Sequence, residues 1–267
     1  MIGFLIKKTF FDLWDNLFRI AFVNIGFIAL LAYLIFIPGL LVAIPPLSVL
    51  ALVIGILGIS IYFQAAALAF KDVSDYKVFG FRDFFEKVKE SWKQGLVFGL
   101  LICALVVVAI FILPFYLSMG NLLGLFVTAI VFWALVISIL ALQWYIAIRA
   151  RLDTKISKII RKCFLIFFDN PGFSLFSFFH NLILFALSAF LAFLAPGPAG
   201  IILYLDEALR LRLLKYDWLD AHPEELNKTN ARGRRIKPKI PWDALLIDER
   251  ERTGTRSFRN FIFPWKD

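Results

Sequence analysis

Apolar positions run through residues 20–70, 94–148 and 170–205 without an Asp, Glu, Lys or Arg. Each run follows a shorter stretch in which apolar and charged positions recur with a 3.6-residue period, the signature of an amphipathic helix. In the first stretch Phe10, Phe11, Trp14, Leu17, Phe18 and Ala21 share a face. In the second Phe81, Phe84, Phe85, Val88 and Trp92 do, and in the third Ile156, Ile159, Ile160, Cys163, Phe164 and Phe167. The nearly evenly spaced Pro38, Pro114 and Pro196 interrupt the three apolar runs. A hydrocarbon core about 30 Å thick takes ~20 apolar residues per helix, so the first two runs each hold two crossings and a turn. The pattern predicts an all-α polytopic membrane protein. Six transmembrane helices form three hairpin repeats, about 20–70, 94–148 and 170–216, each preceded by an interfacial amphipathic helix. A polar, mixed-charge tail, 217–267, completes the chain.

Charge sharpens the picture. Lys and Arg gather at one end of every hairpin: Lys7, Lys8 and Arg19; Lys71, Lys77, Arg82, Lys87, Lys89 and Lys93; Arg149, Arg151, Lys155, Lys158, Arg161 and Lys162. The opposite turns, around 38–46, 114–121 and 195–200, carry no charge. By the positive-inside rule both termini are expected in the cytoplasm. The same rule accounts for the net charge of +9 without a nucleic acid, and the cationic faces of the amphipathic helices suit anionic lipid headgroups. A 61% hydrophobic composition with 31 Phe agrees. No short apolar core ends in a small-residue cleavage site, so the first span is expected to be retained. The two cysteines, Cys103 and Cys163, make a disulfide framework improbable, and no Cys/His spacing suggests a metal or other cofactor. Gly95/Gly99 and Gly120/Gly124 are small-xxx-small pairs that suit close helix approach, within the bundle or between two copies.

The sixth span is the exception. Only residues 201–205 are strongly apolar before Asp206 and Glu207. At 1.5 Å per residue Asp206 lies only ~10 Å from the turn, which puts both acids at membrane depth. Ionisable groups there normally face the bundle interior and pair with one another. Arg210 follows at helical spacing, so Asp206, Glu207 and Arg210 form the candidate intramembrane cluster, with His180, Asn181 and Asn24 as other polar groups able to face it. In the tail, residues 241–252 suit a short helix with Trp242, Leu245 and Leu246 on its apolar side. Phe261, Phe263 and Trp265 lie in an aromatic end that a disordered tail would not need, and are the candidate docking residues, for a partner or for the cytoplasmic face of the bundle, with a membrane-surface anchor beside Arg256 and Arg259 as the competing reading.

Residues 66–100, through Lys71, Asp72, 78–85, Lys87 and 91–95, carry the succession FRDFFEKVKESWKQG between two apolar hairpins. This segment resembles the YesL-like family of bacterial membrane proteins, and EALRLRLLKYDWLD at 207–220 is consistent with that family's third hairpin. The resemblance spans about the first 215 residues, and the tail exceeds the family's usual length. It implies a six-span protein of the bacterial cytoplasmic membrane, without an established activity, whose genes often accompany carbohydrate-uptake transporters.

No nucleophile–base pair, HExxH, Walker A or zinc spacing is present. An intramembrane hydrolase would have only Asp206 and Glu207 to work with. A self-contained small-molecule transporter would use the Asp206/Glu207/Arg210 cluster, yet few other polar groups fall at midplane. The reading that uses most of the chain is a non-catalytic membrane scaffold or accessory subunit, with a protein partner held through the tail.

Overall fold

The computed structural model describes residues 1–77, 79–226, 238–254 and 256. These are helical, without a strand. In chain order the helices are α1 (Ile2–Asp15), α2 (Leu17–Leu40), α3 (Pro45–Ser74), α4 (Phe81–Val107), α5 (Leu113–Ser118), α6 (Leu122–Leu142), α7 (Tyr145–Arg151), α8 (Ile156–Asp169), α9 (Pro171–Phe190), α10 (Gly197–Ala221), α11 (Pro223–Leu226), α12 (Trp242–Leu245) and α13 (Ile247–Thr253). Among the described residues, five helical stretches are long and apolar enough to cross a membrane: Leu17–Leu40, Pro45–Ser74, Phe81–Ser118, Leu122–Arg151 and Pro171–Phe190. The chain divides into two compact units, Asn16–Asp206 and Met1–Asp15 with Glu207–Asp267.

In Asn16–Asp206, α2 packs on α3, α3 on α4 and α7, and α6 on α8 and α9. The α3–α4 crossing is the closest fit. A Cβ added at Gly95 would lie 2.6 Å from Ile61 Cα, and one at Gly99 would lie 3.1 Å from Leu57 Cα. The Gly95/Gly99 pair therefore serves packing inside the bundle, where backbones meet without intervening side chains. Gly124 is occupied locally, its notional Cβ 2.6 Å from the Tyr116 carbonyl oxygen.

The first two reversals fall inside the expected windows, 38–46 and 114–121, and the third overlaps 195–200, but Pro38 and Pro114 are themselves helical. Pro38 lies in the last turn of α2, and the chain reverses after it, before Pro45 opens α3. Pro114 is carried inside a continuous helical stretch, directly after a π-helical segment, Val108–Ile112. Proline removes one backbone donor and its ring crowds the carbonyl four residues back; widening the preceding turn relieves that clash. The reversal comes at Gly120, with φ of +62°. Only Pro196 sits in a turn, between α9 and α10.

The second amphipathic segment also differs from expectation. It is the opening of α4 itself, because no breaker stands between Phe81 and Val107. Phe84 is buried there, while Phe85 and Trp92 stay exposed. In the third amphipathic segment Asn170 and Pro171 do separate α8 from α9.

Three tyrosines link neighbouring helices. Tyr62 of α3 donates to the Val23 carbonyl of α2 at 2.8 Å. Tyr145 of α7 donates to the Gln94 carbonyl of α4 at 3.1 Å. Tyr204 of α10 shares a 3.1 Å hydrogen bond with Ser177 of α9. Net gains of about 0.5–1.5 kcal/mol per bond are typical.

In the other unit, α1 buries Leu5 and Phe11, and Leu246 is fully buried. The expected 241–252 helix is two short ones, α12 and α13, with Leu246 between them. Arg256 holds both carboxylate oxygens of Asp15 at 2.9 and 2.8 Å, with its guanidinium 4.9 Å from the centre of the Phe11 ring. Such cation–aromatic contacts add about 0.5–1 kcal/mol at exposed sites.

Candidate functional site

Asp206 is completely buried at the end of the Asn16–Asp206 unit. Arg151, the last residue of α7, meets it side-on: Nε donates to Oδ1 at 2.8 Å and Nη2 to Oδ2 at 2.6 Å. The same guanidinium donates through Nη1 to Asp75 at 3.0 Å and through Nη2 to Ser74 at 2.9 Å. One planar cation thus joins the last residues of α3 and α7 to α10. Arginine suits this position because its donors form a rigid fork matched to a carboxylate.

Three faces of α10 have separate tasks within this unit. Asp206 takes the Arg151 fork. Tyr204 lies against α9, its ring stacked on His180 with centroids 4.1 Å apart. Pro198, Ile201, Ile202 and Leu205, spaced as one helical face, line a cavity of about 440 Å³. Residues 202–206 are all buried. A helix enclosed on every side can carry an acid that a lipid-facing helix could not, provided the acid is paired. This is why α10 does not need the long apolar run of the stretches fit to cross a membrane.

Asn24 and Asn181 were candidates to join this acid. Asn24 serves the turn between α9 and α10 instead. Its Nδ2 donates to the carbonyls of Leu194 and Pro196, both at 3.0 Å, and its Oδ1 accepts from the Ala199 amide at 3.0 Å. Gly197, with φ of +59°, lies directly against this side chain, where a Cβ would collide with it. A single buried amide thereby pairs with the Leu194 carbonyl and the Ala199 amide and adds a second donor to the Pro196 carbonyl, which also accepts from the Gly200 amide at 2.9 Å. Asn181 Oδ1 and His180 Nδ1 are buried without a hydrogen-bond partner.

Glu207 and Arg210 belong to the second unit. Glu207, 1% exposed, accepts from Lys8 Nζ at 3.2 Å and from the Thr9 hydroxyl, and Lys8 also pairs with Asp12 one turn along α1. Arg210 pairs with Glu249 of α13 at 2.5 Å. The i→i+4 and i→i+3 pairing with Arg210 expected from sequence gives way to long-range partners: Arg151 for Asp206, Lys8 for Glu207, Glu249 for Arg210. Arg151, Lys8 and Glu249 were missed because helical spacing offers only neighbours on the same helix. The density of Lys and Arg at the hairpin ends was the available signal. Phe261, Phe263 and Trp265 lie outside the described residues.

Among the described residues no group of three His, Cys, Asp or Glu side chains is arranged to hold a metal ion. No protein-family model matches the chain, and neither a curated protein nor a solved structure matches it.

Proposed function

We propose that this chain is a non-catalytic membrane scaffold or accessory subunit, built as three helical hairpins with six spans and both termini in the cytoplasm. The observation that carries the reading is the engagement of the acids. Both oxygens of Asp206 are taken by Arg151, and both oxygens of Glu207 accept hydrogen bonds, from Lys8 and Thr9. Carboxylates so engaged set the positions of helices; an ion or solute would have to displace a hydrogen-bonded cation from a buried site. The tyrosine ties at Tyr62, Tyr145 and Tyr204 favour a threefold internal repeat. The alternation of basic ends and uncharged turns favours the cytoplasmic placement of the termini.

The resemblance to the YesL-like family directs the choice of partner to a carbohydrate-uptake transporter of the bacterial cytoplasmic membrane. Phe261, Phe263 and Trp265 supply the docking aromatics of the tail. The experiment is co-purification of the tagged full chain from native membranes, with and without residues 257–267. A stoichiometric transporter subunit, lost on deletion while the remaining chain stays inserted, is the expected result. Unchanged recovery after the deletion would remove the tail from the account. No partner with the full chain would remove the accessory role.

A further inference from the structure

We infer that the Asn16–Asp206 unit takes one acyl chain of a bilayer lipid into its interior. The cavity of about 440 Å³ is walled by α2, α3, α4, α7, α9 and α10, and is several times larger than the apolar cavities of roughly 150 Å³ that bind benzene. It falls within the size range of ligand sites, roughly 300–1,000 Å³. Its two polar lining residues are turned onto the backbone. Ser60 donates to the Ile56 carbonyl at 2.8 Å, and Gln143 Nε2 donates to the carbonyls of Leu140 and Ser174 at 2.8 and 3.0 Å. Gln143 Oε1 is buried without a hydrogen-bond partner, and apart from that atom the wall is hydrocarbon. A sugar or ion inside it would lose its water without replacement, whereas a hydrocarbon chain loses nothing.

The mouth identifies the source. Phe185 of α9 lines the cavity yet is 44% exposed, and its neighbours Leu182, Ile183 and Leu187 are exposed apolar residues at 51–59%. Since α9 is one of the stretches fit to cross a membrane, that rim faces lipid tails, and a tail enters beside Phe185. The inference holds whether or not the chain has a transporter partner.

The test reconstitutes the full chain in vesicles of phosphatidylcholine bearing a diazirine near the end of one acyl chain, with irradiation and mapping of the labelled residues. Label is expected on Ile102 and Ile202 as well as on outward residues such as Phe126. Ile102→Trp, which fills the cavity, should remove the label at Ile202 and leave that at Phe126. Phe185→Trp at the mouth provides the same readout should the first variant not fold. Label confined to outward residues, or unchanged at Ile202 in the variant that folds, would overturn the inference. So would interior labelling by a free diazirine-bearing alkane with none from the phospholipid, since the source would then be wrong.

Discussion

Arg151 and Asp206 are 55 residues apart in sequence and form a two-pronged ion pair of 2.8 and 2.6 Å at a site where Asp206 has no exposed surface. Buried pairs add little over a well-packed apolar replacement, but breaking one leaves a charge without compensation. Asp206→Asn or Arg151→Met alone should therefore destabilise the protein by about 3–5 kcal/mol. The combined Arg151→Met, Asp206→Leu variant should lose much less. Denaturant unfolding in detergent micelles checks the difference, and additive losses in the double variant would show that the two residues are not coupled.

Asn24 is the corresponding device at the uncharged end. Asn24→Ala leaves the Leu194 carbonyl and the Ala199 amide without this partner, while the Pro196 carbonyl keeps the Gly200 amide. Each buried orphan costs about 1–3 kcal/mol where water cannot enter. The variant should show increased proteolysis within residues 191–196 at unchanged membrane insertion.

The α3–α4 crossing allows no added volume. Gly99→Leu should cost about 1–3 kcal/mol through overpacking against Leu57, more than the same change at Gly3, where a Cβ meets nothing within 4 Å. The oligomeric state in detergent should not change, because Gly99 faces α3. Loss of a dimer on substitution would return the pair to an interface between copies.

Cys163 gives a pH dependence. Burial pushes its thiol from an ordinary 9.0 to about 12. Between those values the unfolded chain has released its proton and the folded chain has kept it, so stability falls as pH rises through that window. The slope approaches about 1.4 kcal/mol per pH unit for a single group. Cys163→Ala should remove that component of the alkaline loss. In the native protein at pH 8, iodoacetamide should modify Cys163 only as fast as the protein unfolds.

The apolar helices were legible because burial in lipid demands long uncharged runs, and the runs at 20–70 and 94–148 each lie within two of the helical stretches fit to cross a membrane. The acids were legible as unusual because Asp206 and Glu207 interrupt an apolar segment. Their partners were not. Lys8 and Glu207 are 199 residues apart, and spacing along one helix cannot reveal a contact made across the fold. The prolines placed the first two reversals within a few residues: each chain reversal follows Pro38 or Pro114, which are carried in helix, Pro114 behind a widened turn.

The claim that the acids hold helices in place, and carry no solute, is tested most directly by the charge-free Arg151→Met, Asp206→Leu variant in native membranes. Partner recovery relative to the unaltered chain is the quantity to measure. The account predicts an inserted, folded variant that retains its stoichiometric partner and supports carbohydrate uptake at the unaltered rate. A variant that folds and keeps its partner but abolishes uptake would contradict it, and would make Asp206 a working group of a transport path.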